Sequence, residues 1–180
     1  MIDRRLPTTL PEYLDSHEVE IIPCRRDESR HPLVEIPVPQ GWVSVPTEVF
    51  PHAHTVLIAP EHTENRWAPN AVLLHGRLSK SRSTDELLEV AGNEAVSLPE
   101  WYETYYSTVN FGIFRSTLIR GYYRAGDIRF GAATRYVVVD HEYDRFLTQL
   151  TVTTRADAPP SLTESAETIH AGLGIGPIPE

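Results

Sequence analysis

Three histidines, His52, His54 and His62, lie close together in the stretch FPHAHTVLIAPEH at positions 50–62. Alternate residues of an extended strand face the same side, so His52 and His54 could present two imidazoles to a metal ion. Zinc needs a third ligand and groups that orient the ligands. An unbroken strand would hold His62 roughly 26 Å from His54. Because the spacing matches no recognised ligand motif, we interpret the stretch as a strand with an apolar middle, Val56 to Ile58, and expect no metal site.

Nucleophilic chemistry finds little support in the sequence. No Gly-x-Ser-x-Gly elbow is present. Cys24 stands beside Arg25 and Arg26, which could lower its pKa, but we expect a packing role. The preceding segment, SHEVEIIPC, is acidic and has Pro23 directly before the cysteine, so it is not a lipobox. We therefore expect a cytoplasmic protein.

Two further motifs are interpreted as connections. DHEYD at 140–144 offers Asp140, Glu142 and Asp144 as cation ligands, yet it separates two predicted strands and is typical of a solvated hairpin turn. GLGIGP at 172–177 resembles a phosphate loop, but it follows a predicted helix, which is the wrong end for anion binding. We expect a helix stop followed by a tail at 176–180.

The segment LPEWYETYYSTVNFGIF, between the second helix and a later group of strands, is the first candidate binding surface. Its aromatic residues are Trp101, Tyr102, Tyr105, Tyr106 and Phe111. Tyrosine and tryptophan combine apolar area with a polar group and are enriched at interaction surfaces. The alternative is that several of them close one end of the core.

A set of arginines on the predicted strands is the second candidate. Arg120 and Arg124 share a strand face, as do Arg129 and Arg135 on the next strand. Together they could bind a carboxylate, a phosphate or an acidic partner. The alternative, which we favour, is pairing with Asp or Glu across strands on a solvated face.

The elements that would position these residues follow from caps and periodicity. Three Ser or Thr residues each precede a glutamate by three positions, which is typical of helix N-termini; the pairs are Thr9–Glu12, Ser83–Glu86 and Ser161–Glu164. The runs VEIIPC, LVEIPVP, HTVLIAP and NAVLLHGRL predict strands, and residues 113–154 predict a three-stranded meander. This order predicts an α+β fold, a largely antiparallel sheet flanked by helices.

Composition excludes several classes of function. A formal charge of −9, from 16 basic and 25 acidic residues, argues against binding to nucleic acid or to an anionic membrane. A single cysteine excludes an internal disulfide, and no apolar run is long enough to span a bilayer. The length predicts one domain over 1–180, with its core at about 7–175.

Six segments, in their order and spacing, resemble the actinobacterial LpqN/LpqT family: IPVPQGW, PNAVLLHGRL, LPEW, LIRGYYRAGDIRFGAATRYVVV, FLTQLTVTT and SAETIHAGLGI. The resemblance covers about Pro7 to Ile175. It implies a Mog1/PsbP-like α/β/α sandwich without a catalytic constellation or cofactor. Many members are envelope lipoproteins, and related folds serve as accessory, adaptor or chaperone-like proteins.

Together these observations favour a non-enzymatic protein that binds a protein segment or a lipid-like ligand, with the aromatic segment, Arg120 and Arg124 as its binding residues. Two alternatives stay open. One is a metal-dependent hydrolase centred on His52 and His54, and the other is a structural homodimer.

Overall fold

Residues 8–178 are described by the computed structural model, and they form three α-helices and ten strands. The helices are α1 (Leu10–Ser16), α2 (Thr84–Asn93) and α3 (Pro160–Ala171). The strands are β1 (Ile21–Pro23), β2 (Val34–Glu35), β3 (Val43–Ser44), β4 (Thr55–Ile58), β5 (Asn70–Leu78), β6 (Tyr102–Ser107), β7 (Arg115–Ala125), β8 (Ile128–His141), β9 (Asp144–Arg155) and β10 (Gly174–Ile175). None of the described helices has the length and hydropathy needed to cross a bilayer.

Eight strands form one antiparallel sheet in the order β3-β4-β5-β9-β8-β7-β6. The eighth strand, β1, pairs with the end of β5 at Gly76–Leu78, beyond the residues of β5 that pair with β4. The predicted meander is confirmed as β7, β8 and β9, which are the longest strands of the sheet. A second sheet consists of β2 and β10 alone.

The two faces of the sheet carry separate cores, because alternate side chains of a strand point to opposite faces. Val137 and Val139 of β8 belong to the core beneath α3, whereas Tyr136 and Val138 belong to the core beneath α1 and α2. The helices therefore cover both faces. The predicted α+β class and α/β/α sandwich are confirmed.

Two of the three predicted helix caps are present. The Thr9 N–H donates to the Glu12 carboxylate at 2.8 Å, and the Ser83 hydroxyl accepts from the Glu86 N–H at 3.4 Å. The third prediction, that Ser161 opens a helix, is wrong because the helix begins one residue earlier. Helix α3 begins at Pro160, whose fixed φ and missing N–H suit the first helical position.

Two segments for which the sequence predicts no strand form strands in the structure. Tyr102–Ser107 pairs with β7, and Gly174–Ile175 pairs with Val34–Glu35. GLGIGP does end a helix, since α3 stops before Gly172. After α3 ends, the chain is held in place by the pairing of β10 with β2. Gly176 also donates its N–H to the Leu33 carbonyl at 2.8 Å.

Candidate functional site

The aromatic segment lies at one end of the large sheet. Strand β6 pairs with β7 along one edge, and its other edge has no partner strand within residues 8–178. The register shifts between Glu103 and Tyr105, which places a bulge at Thr104. Bulges are common on edge strands, where they re-aim side chains and interrupt pairing.

Three tyrosines of β6 are exposed to solvent. Tyr102 is 63% exposed, Tyr105 51% and Tyr106 45%. Tyr102 and Tyr105 pair with Tyr122 and Arg120 of β7 and so share the face that carries α3. Tyr106 lies on the opposite face, with its ring beside Gly92 of α2. Aromatic side chains therefore project from both faces of the same free edge.

Trp101 and Phe111, the other two aromatic candidates, are half-buried. The Trp101 ring lies over Gly121, where a Cβ atom would come within 2.5 Å of it. Phe111 packs against the core beneath α3, and the Arg135 guanidinium carbon lies 5.0 Å from its ring centre. The structure thus separates the segment into exposed tyrosines and two residues that anchor it.

The arginine candidates do not form one free cationic patch. Arg120 donates two hydrogen bonds to Glu167 of α3, at 2.7 and 2.8 Å, and these bonds lower the pKa of Glu167. Arg124 lies 3.9 Å from Glu100. Arg120 and Arg124 therefore pair with acidic residues, although the partners come from a helix and a loop instead of a neighbouring strand. Arg129 and Arg135 have no acidic partner among the described residues: Arg129 lies 4.4 Å from the Tyr122 ring centre, and Arg135 donates to the Ser116 hydroxyl at 3.3 Å.

A cleft of about 220 Å³ adjoins β6 between the sheet and α3. Its walls include Thr104, Arg120, Gly131, Glu167 and His170. His170 is 2% exposed, and burial, followed by the charge of Arg120, lowers its pKa to about 4. Its Nε2 atom has no hydrogen-bond partner among the described residues. The cleft therefore offers a charged pair and a neutral imidazole beside the tyrosines.

The histidines of the opening stretch are not brought together. His52 and His62 are exposed, whereas His54 is buried, and both His52 and His54 precede β4 instead of lying within it. The idea that His52 and His54 present their rings together is therefore wrong. His54 is buried beside His31 and His75, with ring centres 6.1 and 6.0 Å away.

Cys24 lies next to this histidine cluster and is also buried. Potential ligand atoms of Cys24, His31 and His75 all lie within 4.8 Å of one another. Arg25 and Arg26 do not lower the pKa of Cys24: burial raises the pKa of its thiol to about 11. No sequence motif predicts this cluster, because Cys24 and His31 follow no recognised ligand spacing and His75 is far from both along the chain.

Comparison with known proteins identifies relatives that match most of this chain. The chain is 29% identical over 146 residues to the proline-rich 28 kDa antigen of Mycobacterium tuberculosis, covering 81% of this chain and 47% of that protein. It is 26% identical over 156 residues to the homologous antigen of Mycobacterium leprae, covering 84% and 56%. The chain thus spans about half the length of the curated relatives it matches.

The crystal structure of LpqN, described as involved in cell envelope biogenesis of Mycobacterium tuberculosis, superimposes with a TM-score of 0.82. It is 21% identical and covers 95% of this chain and 99% of that chain, which shows a shared fold. The family model described as "Probable lipoprotein LpqN" matches residues 6–176. This chain therefore belongs to the Lpp-LpqN family.

Proposed function

We propose that this chain is a non-enzymatic binding module that holds an extended segment of another protein along the free edge of β6. The observation that carries the proposal is the set of exposed tyrosines on an edge strand that has no partner within the described residues. A large apolar area on the surface of a folded protein is typical of an interaction site.

The backbone of β6 supports this mode of binding. Along an edge strand, every second residue points its N–H and C=O groups away from the sheet, where an added strand can pair with them. Recognition by strand addition takes its affinity from these main-chain bonds and its specificity from side chains. Tyr102, Tyr105 and Tyr106 supply contact area at a low cost in conformational entropy.

The cleft beside Thr104 indicates which kind of partner side chain fits there when a strand is added to β6. An added strand would lie beyond β6, so only a long side chain on the face that carries α3 would reach past Thr104 towards Arg120. Arg120 is 32% exposed at its side chain although it pairs with Glu167. A polar side chain of the partner therefore fits this position better than a large apolar one.

The cell envelope is the compartment we propose for this interaction. The family description names lipoproteins, and the structural relative LpqN is described as involved in envelope biogenesis. The expectation of a cytoplasmic protein rested only on the residues around Cys24. Fractionation of the native host, followed by detection of the chain, distinguishes the two locations.

Photo-crosslinking in the native host tests the proposed surface. A photoreactive phenylalanine analogue replaces Tyr105 in one strain and Tyr143 in another; Tyr143 is 98% exposed in the turn between β8 and β9. We expect the Tyr105 position to capture one protein that the Tyr143 position does not capture. Crosslinks to lipid, or to a second copy of this chain, would contradict the proposal and favour the lipid-binding or homodimer alternative.

A backbone scan of the captured segment then tests the binding mode. Peptides of the segment are methylated at one backbone nitrogen at a time, and their affinity is measured by fluorescence anisotropy. Strand addition predicts that methylation weakens binding at every second residue, because only those N–H groups face β6. Equal effects at all positions, or none, would contradict strand addition.

A further inference from the structure

We propose that Cys24, His31 and His75 bind one transition-metal ion, with Zn²⁺ the best match, inside the fold between β1, β5 and the loop that precedes β2. This site is separate from the surface of β6. It does not depend on the proposed function.

The three residues converge from different parts of the chain. Cys24 follows β1 directly, and His75 lies within β5, to which β1 pairs through Pro23 and Gly76. Their ligand atoms and that of His31 lie within 4.8 Å of one another. A tetrahedral zinc site with bonds of about 2.0–2.3 Å separates its ligand atoms by roughly 3.3–3.6 Å. Closing the site therefore requires movements of roughly 1 Å, within the reach of side-chain rotation.

His75 provides the independent observation. Its Nδ1 atom lies 2.8 Å from the hydroxyl of Thr148 on β9. Its Nε2 atom is buried and has no hydrogen-bond partner among the described residues, and the residue is only 2% exposed. The His31 ring centre lies 5.2 Å from that of His75. A histidine held at one nitrogen by a hydroxyl, with the other nitrogen buried and unpaired near a second histidine, resembles a metal ligand with its orienting partner.

Protonation also favours a metal at His75. Burial, followed by the charge of His31, lowers the pKa of His75 to about 3, so its imidazole is neutral at physiological pH. The Cys24 thiol has a raised pKa of about 11, and Glu28, Arg77 and Asp144 act on it with opposing signs. Metal binding must therefore displace the thiol proton, as it does for coordinating thiols generally.

His31 lies between two carbonyl oxygens. Its Nδ1 atom is 2.8 Å from the Pro32 oxygen, and its Nε2 atom is 2.9 Å from the Arg25 oxygen. Both nitrogens are therefore within hydrogen-bond distance of an oxygen atom. His31 can ligate a metal ion only if its ring turns and gives up one of these two hydrogen bonds.

His54 lies beside this cluster. Its ring packs edge-on against both His31 and His75, and it is 3% exposed. Burial, then the charge of His31, then that of Arg26 lowers its pKa to about 4. A neutral imidazole therefore borders the three proposed ligands without being one of them. A thiolate with imidazoles suits Zn²⁺ or Co²⁺ and does not suit Mg²⁺ or Ca²⁺, which require oxygen ligands.

Cobalt binding tests the site directly. The folded protein, freed of any affinity tag and stripped with a chelator, is titrated with Co²⁺. We expect a thiolate-to-cobalt band in the near ultraviolet and tetrahedral bands in the visible, saturating at one equivalent and abolished by Zn²⁺. A folded wild-type protein without these bands would overturn the proposal.

Matched variants assign the ligands. Cys24→Ser should abolish the thiolate band, and His75→Gln should weaken Zn²⁺ binding by more than roughly 100-fold, beyond the cost of losing an orienting partner. His62→Gln, at an exposed histidine, should bind as the wild type does. Equal weakening in His62→Gln would overturn the assignment.

A measurement without variants covers the case in which these substitutions prevent folding. Wild-type protein loaded with ¹¹³Cd should give one NMR resonance at a shift typical of mixed sulfur and nitrogen ligation. A resonance typical of oxygen ligands only would overturn the proposal.

Discussion

Arg120 and Glu167 join β7, the strand next to the free edge of the sheet, to α3 through two hydrogen bonds, at 2.7 and 2.8 Å. The pair forms one wall of the cleft beside β6, and the His170 Nδ1 atom lies 3.5 Å from the same guanidinium. This bidentate contact therefore adds to the apolar packing of Leu162, Ala166 and Ile169 that holds α3 on the sheet. Arg120, which the sequence suggested as a ligand-binding cation, also positions this helix.

Arg120→Ala should lower the free energy of unfolding by about 1 kcal/mol, since the pair is bidentate but partly exposed. Arg124→Ala is the matched control. Its contact with Glu100 is a single one at 3.9 Å between exposed groups, and we expect no measurable change. Urea denaturation of both variants checks the difference, and equal losses would show that Arg120 does not hold α3.

Gly121→Ala should destabilise the protein by about 1–3 kcal/mol, the usual cost of overpacking. The added Cβ would lie 2.5 Å from the Trp101 ring and from the Tyr102 carbonyl oxygen, so the start of β6 must move. Hydrogen exchange should become faster for the amides of Tyr102–Ser107. Gly131→Ala meets only the Tyr122 ring, at 3.3 Å, and its smaller effect serves as the control.

Tyr102→Ala combined with Tyr105→Ala should change the free energy of unfolding by no more than about 0.5 kcal/mol, because both side chains are exposed. The same double variant should lose at least tenfold in affinity for the protein captured at Tyr105, a loss of about 1.4 kcal/mol. Tyr143→Ala should change neither quantity. Full affinity in the double variant would assign binding to another surface.

His170 should make the protein less stable in acid. The unfolded chain protonates this histidine near pH 6.5, whereas the folded chain does so only near pH 4, because the ring is buried beside Arg120. Stability is therefore complete above pH 6.5 and falls as the pH drops towards 4, by about 3 kcal/mol from this group.

His170→Gln should flatten the fall in stability between pH 6.5 and 4, measured by urea denaturation in the presence of a chelator. The exposed His52, replaced in the same way, is the control. A curve for His170→Gln that runs parallel to the wild type would contradict the assignment.

Much of the fold could be predicted from local signals. The meander β7–β9 followed from β-branched residues and turn residues, and α2 followed from the Ser83–Glu86 cap. Strand β6 could not be predicted, although Tyr-rich stretches favour strands. Its pairing with β7 depends on long-range contacts that no local pattern encodes. For the same reason the exposure of each tyrosine could not be predicted.

The histidine cluster was beyond prediction for a different reason. The sequence places His54 close to His52, but in the structure His52 is exposed at the surface. Its actual neighbours, His31 and His75, are brought to it by the pairing of β5 with β1 and β4. Ligand spacing along one strand cannot reveal a site that is assembled across several.

The pairing of β2 with β10 also determines when this protein can fold during synthesis. Val34–Glu35 emerges early from the ribosome, but its partner, Gly174–Ile175, emerges only after all of the large sheet has been made. Strand β5 likewise pairs with Phe146–Thr153 of β9, which is synthesised much later. Long-range pairing of this kind slows folding, so strands β2 and β5 keep unpaired edges, which favour aggregation, until their partners have been made.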